Sequence, residues 1–207
     1  NYACLQARGG DVRLFTKSGG HGIDNGDGSQ NCGPIERDDA TFQWYQEKLK
    51  GVAGADDGIP SICYNLGKEG NDGIVVDSVT VGGTNADLGT TSMVLQEGSQ
   101  QISYVDVYTA PAGGSIIAGI PTMQLDMADP AMGLNAVGDP VLFIGIGIQP
   151  AGGDQPTAAL MNQLRPVRGF ASYDIELNGV MARLNEGDKL LVMFLAASSA
   201  QYPTSGT

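Results

Sequence analysis

The sequence predicts a mainly β protein: an antiparallel β-sandwich preceded by a small α/β segment. Three observations carry this. From about Ile74 onward, short apolar or alternating runs follow one another at near-regular spacing, separated by turn formers. No amphipathic helix interrupts them. Before that point the order is helix, strand, loop, helix, which is the signature of an α/β layer.

The elements follow in order. "NYACLQARGG" places Tyr2 and Leu5 at helical spacing and ends on Gly9-Gly10, a helix stop. "VRLFT" is a short strand. "GIDNGDGSQNCGP" is a loop of turn residues. "RDDATFQWYQEKLKG" is the best helix: Asp38 or Asp39 can cap it, Phe42, Tyr45 and Leu49 share a face flanked by Trp44, Lys48 and Lys50 suit its last turn, and Gly51 closes it. The boundary lies in "GKEGNDG", giving domains 1–66 and 67–207. The β-rich part then contains "IVVDSVTV", "ISYVDVYT", "PTMQLDM", "VLFIGIGI", "SYDIELN" and "KLLVMFLAA". "SSAQYPTSGT" reads as a frayed tail.

Charge narrows the partners. A formal net charge of -12 repels polyphosphates and anionic membrane surfaces, so nucleic acid and membrane are both disfavoured. The longest apolar run, Val141 to Ile148, is too short to span a bilayer and fits a buried strand. The chain begins at Asn1, as a mature product or a fragment does. Few lysines, many Gly, Ser and Thr, and an acidic balance fit a secreted or periplasmic protein, where a disulfide is permitted. Of Cys4, Cys32 and Cys63, the favoured bridge is Cys32–Cys63; the alternative is three reduced thiols.

His21 is the one histidine, and it follows Gly19-Gly20 beyond the end of a strand. The plain reading is a structural or exposed imidazole. The sharper reading is a general base, because sites in open α/β sheets lie at the carboxyl ends of strands. No G-x-S-x-G is present to supply a nucleophile, and Ser115 in "GGSIIAG" lacks that spacing. Cys4 and Cys32 lack the context of a reactive thiol. Asp11 is a poor orienting acid, since it lies at the other end of the strand, roughly 30 Å away if the chain is extended. The Asp24–Asp27 loop is a weak candidate for Ca²⁺: with Gly28 at the sixth EF-hand position, Ile23 stands at the first, and the pattern fails. One histidine and scattered cysteines give zinc no ligand set. No helix follows Gly145 and Gly147, so they are no phosphate loop; they make room for a neighbouring sheet or a large side chain. Met123, Met127, Met181 and Met193 read as core fillers.

Taken together, "GGDVRLFTKSGGHG", the cysteine loop and "FQWYQEKLKG" resemble the end of the catalytic domain in X-prolyl dipeptidyl-peptidase and cocaine-esterase-like α/β-hydrolases. "ISYVDVYTAPAGGSIIAGIPTMQLDM", "DPVLFIGIGIQ", "NQLRPVRG" and "LNGVMARLNEGDKLLVMFLAAS" are similar, in that order, to the family's C-terminal jelly roll. The resemblance implies that His21 is a triad histidine, that residues 1–66 are the end of the hydrolase domain, and that 67–207 is a jelly roll. It also implies that the nucleophilic Ser and the acid lie in upstream chain. A histidine without its serine forms no acyl-enzyme, so this chain alone would be an inactive fragment of a secreted serine peptidase or esterase. It further implies that Phe42, Tyr45 and Leu49 pack on a parallel sheet whose remainder is absent. The upstream portion, or copies of this chain in a closed oligomer or filament, would cover what is left open. The alternative function is therefore an extracellular self-assembling β-module. A carbohydrate-binding jelly roll ranks third, because aromatics are scarce and the single Trp44 lies in the helical part.

Overall fold

A computed structural model describes residues 2–16, 31–66, 72–79, 83–95, 99–129, 140–154 and 164–196. The chain separates into two units, Asn1–Thr84 and Asn85–Thr207. The protein is mainly β, with antiparallel ladders predominating.

In the first unit, helix α1 (Tyr2–Ala7) stops where expected, with Gly9 at φ 76°. Strand β1 (Leu14–Phe15) runs parallel to β2 (Ile62–Asn65), and β3 (Gly73–Val76) pairs antiparallel to β2, giving the order β1-β2-β3. Parallel neighbours need a long crossover. Helix α2 (Arg37–Lys50) lies within it. The cap of α2 is Glu36 rather than Asp38 or Asp39: its carboxylate accepts from the Asp39 N–H at 2.9 Å, as a longer side chain in extended backbone can. At the other end Gly51 adopts φ 70°, a left-handed stop, and the Gly51 and Val52 N–H groups donate to Glu47 and Gln46. Among the described residues of this unit the buried apolar ones are few: Cys32, Ile59, Ile62 and Cys63.

The run "IVVDSVTV" was expected to open the sandwich. Its strand instead forms the third member of the first sheet, closed onto β2 by the Leu66 N–H donating to Asp72 at 2.8 Å. Alternation marks a strand but does not name its partner. The division accordingly falls later than the boundary expected after Leu66.

The second unit holds β4 (Ile102–Thr109), β5 (Ser115–Gly119), β6 (Thr122–Asp126), β7 (Val141–Gln149), β8 (Arg165–Arg168), β9 (Ser172–Glu176), β10 (Val180–Leu184) and β11 (Lys189–Leu195). The antiparallel pairings are nested: β4 with β11, β5 with β10, β6 with β9, β7 with β8. One further ladder, β11 with β7, joins four strands in the order β4-β11-β7-β8. Side chains from these ladders meet in one core. Leu142, Ile144 and Ile146 of β7 and Val192 and Phe194 of β11 pack with Met123 of β6 and Val180 of β10. Met127 packs at its edge. β7 is buried on both faces from Leu142 to Gly147, which is why its sequence is continuously apolar. Gly145 stands opposite Met193, and Gly147 opposite Leu191, so each glycine leaves space beside a large partner.

Polar pins hold the turns. The buried Asp188 carboxylate accepts from the Ala151 N–H at 2.9 Å and the Asn185 N–H at 2.8 Å, joining the turn before β11 to the end of β7. The Ala151 N–H, then that of Asn185, holds its carboxyl below the usual range. The Tyr173 hydroxyl donates to the carbonyls of Arg168 and Gly169 just upstream.

Gly73 carries the tightest approach in the first unit. A Cβ there would lie 2.5 Å from the Gly33 nitrogen and 2.6 Å from the Cys32 carbonyl carbon. Backbone cannot yield as a flexible side chain does. Gly73→Ala is expected to destabilise the first unit by about 1–3 kcal/mol, read as a lowered urea midpoint by amide exchange of β2 and β3, with the second unit's amides unchanged.

Candidate functional site

The residues that carry the sharpest sequence expectation, His21 and the Asp24–Asp27 loop, lie outside the described residues. What is described is how the chain enters and leaves that segment. Thr16 ends the entry: its N–H donates to the Cys63 carbonyl at 3.0 Å, and its hydroxyl accepts from the Asn65 N–H at 2.9 Å. Asn31 begins the exit, and its carbonyl accepts from the Asn65 side-chain amide. Asn65 is itself buried. One residue at the carboxyl end of β2 thus holds Thr16 and Asn31, the described residues on either side of 17–30. That is the end of a parallel pair at which α/β sites are built.

The second anchor is covalent. Cys32 and Cys63 form the expected disulfide, with Cα atoms 6.1 Å apart, inside the range a bridge allows. Both are buried, and Cys32 also exchanges backbone hydrogen bonds with Ile35 just before α2. Cys4 is free and exposed on α1.

Asp11 belongs to an ion cluster. It pairs with Arg13 and lies 2.7 Å from the Lys48 ammonium. Lys48 also reaches the buried Asp56 at 2.9 Å and Glu47 at 3.3 Å. Glu47 accepts from the Asp56 N–H at 3.1 Å. Two cations lie over the Trp44 ring, Arg13 at 5.2 Å and Lys48 at 4.9 Å from its centre. The Lys48 ammonium beside them is the main cause that holds the carboxyls of Asp11 and Asp56 below the usual range. Asp11, then Asp56, raises the Lys48 ammonium well above its ordinary value. Glu47, Asp56 and Asp57 place carboxylate oxygens within 4.8 Å of one another, a spacing that suits a cation. The Lys48 ammonium already serves Asp56 in that role.

This cluster explains a departure from expectation. Phe42, Tyr45 and Leu49 were expected on the sheet, yet they are 62%, 53% and 75% exposed. The inward side of α2 carries Ala40, Trp44 and Glu47, all half-buried. The helix is inverted: its charged and indole groups meet Asp11, Arg13 and Asp56, and its apolar stripe faces out. The stripe is legible from spacing alone. Of the groups that turn it outward, Asp11 and Arg13 lie far off in sequence, while Asp56 follows the helix. Asn65 and Asp56 carry no local signal of their role.

Comparison with known proteins finds no matching family model, no matching curated protein and no matching solved structure. Among the described residues no helix is long and apolar enough to cross a membrane. The disulfide suits an oxidising compartment.

Because the bridge spans a sequence separation of 31, its loss frees a long loop in the unfolded chain. Replacing Cys32 and Cys63 by Ala is expected to cost about 3–4 kcal/mol, measured by urea unfolding of the first unit. An unchanged midpoint would contradict its anchoring role.

Proposed function

We propose that this chain is the C-terminal part of a secreted serine hydrolase of peptidase or esterase type, inactive alone, with His21 as the general base and the serine and acid on upstream polypeptide. The observation that carries the reading is the parallel β1–β2 pair with helix α2 in its crossover, the unit of which α/β layers are built. Asn65, at the carboxyl end of that pair, holds Thr16 and Asn31, the residues on either side of 17–30, which supports it. The outward stripe of Phe42, Tyr45 and Leu49 departs from the packing that the resemblance implies, and leaves an apolar side open to further structure. For the second unit the reading is a jelly roll. Nested pairing of first strand with last, inward to β7 with β8, is the pairing such a roll has, although the β11–β7 ladder joins four of the eight strands in one sheet.

The test is active-site labelling. Native material captured through this chain is treated with a fluorophosphonate, which reacts with an activated serine. The expected result is a labelled polypeptide that includes this sequence, while the isolated 207-residue chain stays unlabelled. No label in the native material, or label on the isolated chain, overturns the reading.

The same exposed stripe favours a second reading, self-assembly. In the isolated chain it would pair with the stripe of another copy. Light scattering should then give a dimer or larger species that Leu49→Asp converts to monomer. A monomeric wild-type chain rejects this reading and leaves the first untouched.

A further inference from the structure

Helix α2 has no buried residue. Its inward side makes ionic, hydrogen-bonded and cation–π contacts: Lys48 with Asp11 and Asp56, Glu47 with the Asp56 N–H, and Trp44 with Arg13. Its ends are fixed differently. Ile35, at the entry, pairs with Cys32, which is bonded to Cys63. Gly51, at the exit, turns the chain in the left-handed region. The helix is therefore tethered at its entry, capped at its exit, and held along its inward side by charge.

We propose that α2 is a charge-latched arm, held at neutral pH by Asp11, Lys48 and Asp56, and released in acid while the disulfide-anchored sheet stays folded. This inference stands apart from the hydrolase reading.

The charged groups at the latch are Asp11 and Arg13 from the segment entering β1, Asp56 and Asp57 from the loop after α2, and Glu47 and Lys48 from α2 itself. At neutral pH the carboxylates outnumber and separate the two cations. Once Asp11 and Asp56 are protonated, their ionic contacts to Lys48 are lost, and Arg13 and Lys48 remain as like charges on the same indole. The direction follows from linkage. Asp11 and Asp56 have depressed folded values, so their contribution is complete above the ordinary carboxylate value of about 4 and is lost as pH falls through the lower folded value. Lys48 is raised, so its contribution holds through neutral pH and fails only in strong base. The latch is closed between these limits. An apolar helix seat would have no such window.

Trp44 is the single tryptophan, so its emission reports the latch directly. The experiment follows Trp44 emission and amide protection factors in the 207-residue chain from pH 7 to pH 2.5. The expected result is a red shift with a midpoint below pH ~4, and a loss of α2 protection of about tenfold or more, while the amides of β2 keep theirs. Lys48→Met should give the acid pattern at pH 7, and Lys48→Arg should retain the latch. Three results overturn the proposal: α2 protection unchanged through the acid range, Lys48→Met with wild-type protection, or α2 and β2 losing protection in one transition.

Discussion

Everything in the first unit hangs from one strand, β2. It is central in its sheet, parallel to β1 and antiparallel to β3. Cys63 bonds it to Cys32 in the segment leading to α2, and Asn65 holds Thr16 and Asn31. These anchors are covalent and polar. Among the described residues of this unit, only Cys32, Ile59, Ile62 and Cys63 are buried apolar residues, so fixed cross-links carry much of the order that a core would otherwise supply.

The second unit solves the opposite problem. Its strands β7 and β11 are buried along most of their length, and three separate ladders converge on one apolar cluster. Burial on this scale sets register, because a one-residue slip would turn Ile144 and Ile146 away from the cluster and bring the intervening glycines inward. The polar pins at Asp188 and Tyr173 then locate turns on a body already specified by packing. One chain thus joins a unit ordered by links to a unit ordered by a core.

Legibility in the sequence follows the same division. β4, β7 and β11 stand close to where their runs predict, because eight or so apolar or alternating residues leave little choice. The short strands β2, β5, β8 and β10 escaped the pattern. "RPVR" carries a proline and two arginines, and "SIIAG" is framed by glycines, so neither offers a period. Helix α2 was legible in extent but not in orientation. Phe42, Tyr45 and Leu49 show that they share a face, and nothing local says which way it points. That was decided by Asp11, Arg13 and Asp56, brought in by the fold. The Cys32–Cys63 pairing was expected; the part played by Asn65 was not, since a lone asparagine after "ICY" looks like any turn residue.

The account rests on the claim that α2 is seated by its charged side. Hydroxyl-radical footprinting of the chain at high dilution tests that most directly, because it reads side chains one at a time. The account predicts rapid oxidation of Phe42, Tyr45 and Leu49 and protection of Trp44. Protection of Tyr45 and Leu49 with rapid oxidation of Trp44 would mean that the helix sits on its apolar face, and would contradict it.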